Sequence, residues 1–72
     1  MRTFTAYIEY DAESETYVGL FPGIPGAHTY ADTLDELHEN LKEVLELCLE
    51  EFDGDPNDLP KFIGIQQVAV NL

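Results

Sequence analysis

Fifteen acidic side chains, two histidines and one cysteine are the residues of this 72-residue chain best suited to move a proton, hold a cation or attack an electrophile. Their spacing argues against all three. Two-metal chemistry needs several carboxylates converging on a site about 4 Å across. Glu9 and Asp11 lie near the end of an alternating segment, with Glu9 on the side opposite the core-facing residues. Glu39, Glu43, Glu46 and Glu50 recur at helical spacing and face solvent beside one another, not a cleft. The run Asp53-Gly54-Asp55-Pro56-Asn57-Asp58 fails as a calcium loop, because Asp58 and Gly64 stand where Gly and Glu are required. His28 and His38 have no paired cysteines to complete a metal set. Cys48 falls inside an apolar stripe and reads as a small core residue. The sequence therefore assigns no catalytic residue, no metal ligand and no cofactor.

The elements that carry these residues are legible. Phe4, Ala6, Ile8 and Tyr10 alternate with Thr3, Thr5, Tyr7 and Glu9, so Met1 to Tyr10 reads as a strand with one buried face. Asp11 to Glu15 is polar and turn-like, and Tyr17 to Phe21 forms a second strand, giving a hairpin with a loop of about five residues. Pro22-Gly23-Ile24-Pro25-Gly26 breaks the sheet and redirects the chain. Ala27 to Ala31 is a short third strand. Thr33-Leu34-Asp35-Glu36 matches a capping box, and Asp32, Asp35 and Glu36 suit the positive end of a helix dipole. Leu34, Leu37, Leu41, Val44, Leu45, Cys48, Leu49 and Phe52 then recur at helical spacing. Gly54 is placed to cap the helix and Pro56 prevents its continuation. A β-branched run from Ile63 to Val70 reads as a last strand, with its alternation slipping at Gln66-Gln67 as at a bulge.

This order defines one α+β domain spanning residues 1–72, β-β-β-α-β. A right-handed crossover returns the last strand parallel to the first, so the expected sheet is four-stranded and mixed, in the order 3-2-1-4. One helix covers one face, leaving the other to solvent or a partner. The net charge of −12 argues against direct nucleic-acid binding, which needs Lys and Arg at phosphates, and favours either solubility or a basic partner. A lone cysteine excludes an internal disulfide, and no apolar run has the length of a signal peptide or a membrane span. The expected location is cytoplasmic, with no membrane partner.

The phrase FPGIPGAHTYADTLDEL, preceded by the IEYD and YVGL segments of the hairpin, resembles the HicB-like antitoxin family. Pro22, Pro25, Gly26, Asp32, Thr33 and Glu36 fall where that family places its P-x-x-P-G turn and helix start. The resemblance runs from about Thr3 to Phe52. It implies a partial ribonuclease-H-like fold, and the missing carboxylate constellation makes a non-enzyme the expectation. It further implies self-association into dimers or tetramers and neutralisation of a small, basic, messenger-RNA-cleaving HicA-type toxin. Three departures stand out: Ala27 replaces a frequent Cys, Ala31 replaces the usual Gly, and no DNA-binding region follows Leu72, which speaks against autoregulation of transcription. A stand-alone, homo-oligomeric binding or regulatory protein without a toxin partner is the alternative.

Contact residues follow from the faces the elements leave bare. Tyr7 and Tyr17 are expected side by side on the uncovered sheet face. Leu47 stands apart from the apolar stripe among Glu36, Asn40 and Glu43, as an apolar anchor ringed by acid. Ile65, Val68 and Val70 belong to the last strand, an edge with few charges that tends to pair with another chain.

Overall fold

The computed structural model describes residues 2–72, with Pro56 described in its backbone only. The elements are β1 (Tyr7–Asp11), β2 (Thr16–Leu20), β3 (His28–Ala31) and α1 (Leu34–Glu51), followed by a single 3-10 turn, Pro56–Asp58. The three strands form an antiparallel sheet in the order β1-β2-β3, and α1 packs across β2 and β3. The fold is α+β, three strands followed by one helix.

The hairpin is shorter by one loop residue than expected. Asp11 pairs with Thr16, leaving four residues, Ala12 to Glu15, in the turn. The Asp11 carboxylate shapes it, accepting from the Glu13 amide at 3.1 Å and the Ser14 hydroxyl at 2.9 Å. Glu15 closes the turn in the left-handed region, φ 57°. One residue of slip turns every side chain to the opposite face of its strand. Tyr17 therefore pairs with Tyr10, and Tyr7 pairs with Leu20. The expected Tyr7–Tyr17 neighbourhood does not exist, because a four-residue loop puts Tyr17 on the helix side of the sheet. There its ring lies 5.0 Å from that of Tyr10, tilted by 58°.

The Pro/Gly segment is two fused turns. The Ile24 amide donates to the Phe21 carbonyl and the Ala27 amide to the Ile24 carbonyl, each at 3.2 Å. Each turn has proline first and glycine second, and Gly23 and Gly26 take φ 83° and 77°. That is the type II arrangement, in which proline presets one dihedral and glycine accepts the positive φ that a Cβ resists. The Phe21 amide closes the unit on the Ala27 carbonyl at 2.9 Å. The turn pair thus delivers β3 back alongside β2.

Thr33 caps α1 as its sequence requires, its Oγ1 accepting from the Glu36 amide at 3.1 Å. The apolar stripe reaches the sheet through Leu37 and Leu41, which with Phe21, Ala27 and Ala31 make up the buried core. Phe4, Ala6, Tyr17, Ile24, Leu45 and Cys48 pack around them. Leu34, at the first helical position, is 54% exposed, so the buried stripe starts one turn later than its periodicity indicates. Helix and sheet approach most closely at Gly19, where an added Cβ would lie 2.9 Å from Leu41 Cδ2. Ala27 and Ala31, both departures from the resembled pattern, are almost fully buried, as small side chains under a close helix must be.

Two expectations fail at the ends. The helix stops at Phe52 in an extended conformation, with its amide on the Leu49 carbonyl, and Gly54 does not adopt the left-handed cap. The Phe52 ring instead lies 3.0 Å from where a Cβ on Gly54 would stand. The last strand does not join the sheet. Residues 61–72 carry no regular element and every one is exposed. A β-branched run states what the segment can pair with and not where its partner lies. At the other terminus, β1 begins at Tyr7; the expected start of the first strand at Met1 lies outside the described residues.

Candidate functional site

Two surfaces remain bare once the core is built. The first runs along the flank of α1 beside β3. Glu36, Asn40, Glu43 and Leu47 recur every three to four residues and share that flank. Asn40 ties it to the sheet, its Nδ2 donating to the Tyr30 carbonyl at 3.2 Å. Thr29, Asn40, Glu43, Val44 and Leu47 line a shallow groove of about 180 Å³ between helix and strand. Leu47 is 54% exposed at its rim. Of the four, Asn40, Glu43 and Leu47 line the groove, whereas Glu36 lies outside it, one turn before Asn40.

The second surface is the sheet face away from the helix. By the pairing register it carries Tyr7, Leu20 and His28 in one row and Glu9, Val18 and Tyr30 in the next. Val18, between Glu9 and Tyr30, and Leu20, between Tyr7 and His28, are half-buried, and Tyr30 is among the most exposed aromatics. Sequence reasoning placed Tyr7 here and missed Tyr30. The signal for Tyr30 is the alternation of β3, which puts it on the face opposite its buried neighbour Ala31. Because Asn40 holds the backbone of Tyr30, the acidic flank and the open face meet along β3.

Ile65, Val68 and Val70, the remaining candidates, lie on the exposed tail, far more open to water than apolar residues of a folded core. Tyr17 is the one candidate removed from any bare surface, being packed against the core.

Among the described residues, no three or more His, Cys, Asp or Glu side chains gather to hold a cation. The Asp11 carboxylate is engaged in its turn, and the Asp55 carboxylate accepts from the Asn57 amide at 2.9 Å. Cys48 sits half-buried, its Sγ 3.8 Å from where a Cβ on Gly26 would lie. Of the three cations, Arg2 and Lys61 line a separate cleft of about 470 Å³ between the N-terminal segment and the Pro/Gly turn. The Arg2 guanidinium lies over the Phe4 ring at 5.2 Å. No helix is long and apolar enough to cross a membrane among the described residues.

The chain is a small acidic α+β module, and comparison with known proteins places it in a family. The family described as "HicB_like antitoxin of bacterial toxin-antitoxin system" matches residues 4–72, and the chain belongs to it. The match extends through the exposed tail, beyond the Thr3 to Phe52 span of the resemblance. Among curated relatives, a UPF0150 protein of Thermotoga maritima is 49% identical over 69 residues, covering 96% of this chain and 91% of its own. A UPF0150 protein of Archaeoglobus fulgidus is 45% identical and one of Synechocystis 42% identical, each over 67 residues and 93% of both chains. No solved structure matches at a significant level.

Proposed function

We propose that this chain is a non-enzymatic antitoxin that binds a small, basic, messenger-RNA-cleaving toxin of the HicA type and masks it. The observation that carries this reading is the groove beside β3, where half-exposed Leu47 stands with Asn40 and Glu43 in a chain of net charge −12. An apolar anchor ringed by acid complements a basic surface with its own apolar centre. The family supports the partner's identity. Tyr7 and Tyr30 on the open face extend the contact, and a cytoplasmic location follows from a toxin that acts on messenger RNA. The same reading includes self-association into a dimer or tetramer.

The test is an RNA-cleavage assay with the basic protein encoded beside this chain. Cleavage should cease once the acidic chain reaches equimolar amount, and should persist with Leu47→Glu at the same concentration. Undiminished cleavage at a tenfold excess, or the lack of any basic neighbour, would leave the stand-alone oligomeric protein as the better account.

A further inference from the structure

We infer that the cleft between the N-terminal segment and the Pro/Gly turn is a binding site for a monocarboxylate with an aromatic or branched apolar body. Its volume of about 470 Å³ falls within the range of small-molecule pockets, about 300–1,000 Å³. It shares no lining residue with the groove beside β3, so the site is separate from the proposed toxin contact.

Charge sets this cleft apart. The chain carries fifteen acids and three cations, yet no acid is among the described residues that line the cleft, and two of the cations are. Arg2 comes from the N-terminal segment and Lys61 from the chain that follows the 3-10 turn, so each wall contributes one. The Arg2 guanidinium is steadied over the Phe4 ring at 5.2 Å. Its planar fork of N–H groups matches the two oxygens of a carboxylate, and Lys61 adds a point charge.

The rest of the lining is mostly apolar and is tied to the core. Phe21, 7% exposed, belongs to the core itself. Phe4, Ile24 and Leu59 are half-buried, and Phe62 is 41% exposed. Pro60 holds one wall against the turn, within 3.0 Å of where a Cβ on Gly23 would stand.

The field of the chain limits the charge of the ligand. A net charge of −12 repels an anion in proportion to the anion's own charge, and two exposed cations offset only a little of that. One carboxylate engages both cations. An apolar body then supplies the larger part of the affinity by covering Phe4, Leu59 and Phe62.

NMR titration of the full chain with naphthaleneacetate, and with the neutral isostere naphthaleneacetamide, tests the assignment. Both ligands should shift the backbone resonances of Thr3, Phe4, Leu59 and Phe62. The acid should bind about fivefold more tightly than the neutral ligand, the size of two exposed ion pairs. Arg2→Gln with Lys61→Gln should abolish that preference and leave both the binding of the neutral ligand and the helical circular dichroism unchanged. Naphthyl phosphate should bind no more tightly than the acid. Three results overturn the site: no shift with either ligand at millimolar concentration, shifts confined to other surfaces, or a preference for the acid that is missing from the unaltered chain or survives the two glutamines. Tighter binding of naphthyl phosphate overturns the single charge of the ligand.

Discussion

Leu41 and Leu47 stand six residues apart on one helix and predict opposite outcomes for the same substitution. Leu41 is 5% exposed and lies over Gly19, whereas Leu47 is 54% exposed at the rim of the groove. Removing a buried leucine costs about 2–5 kcal/mol. Leaving a carboxylate unpaired in its place adds several kcal/mol more. A domain of 72 residues has only about 4–11 kcal/mol in total at roughly 0.05–0.15 kcal/mol per residue. Leu41→Glu should therefore unfold the chain, while Leu47→Glu should stay within about 0.5 kcal/mol of the unaltered protein. Each variant adds one negative charge, so general repulsion cancels from the comparison. Circular dichroism with a urea titration reads the outcome. Two variants of equal stability, in either direction, would refute the assignment of the helix faces.

Three further substitutions probe the local geometry. Glu15→Gly relieves a left-handed residue in the hairpin turn, φ 57°, and should raise stability by up to about 1 kcal/mol, seen as a higher urea midpoint. Gly26→Ala places a Cβ at φ 77°, and with Cys48 Sγ at 3.8 Å leaving room, the cost should be strain alone, about 1–2 kcal/mol in the same titration. Thr33→Ala removes the acceptor for the Glu36 amide and should cost about 1 kcal/mol, with Thr33→Ser restoring most of it in thermal melts.

The parts of the fold that sequence reveals are those fixed by neighbouring residues. Thr33 with Glu36 marks the helix start, and proline-glycine pairs mark the turn, because each pattern sets its own dihedrals. The pairing of β1 with β2 is different. It hinges on whether Asp11 belongs to the turn or the strand, and the Asp11 side chain serves the turn while its backbone pairs with Thr16. A local pattern cannot separate those two roles, and the parity error moved Tyr17 to the wrong face. Gly54 invited a left-handed cap, but Phe52 folds its ring over it and the chain leaves extended. The run from Ile63 to Val70 has strand chemistry and no strand, since β propensity states what a segment can pair with and not where the partner is. At the candidate site, helical spacing alone puts Asn40, Glu43 and Leu47 on one flank, the three that line the groove. The open face was half legible, because it depends on register.

Titration calorimetry of this chain against its basic neighbour, at about 0.1 M and about 1 M salt, tests the binding claim most directly. The Debye length falls from about 10 Å to about 3 Å over that range, so contacts between an acidic flank and a basic surface should weaken strongly. The account predicts saturable binding at low salt, a large loss at high salt, and at least a tenfold loss, about 1.4 kcal/mol, for Leu47→Glu. Absence of binding at low salt, or binding indifferent to both salt and Leu47→Glu, would contradict it.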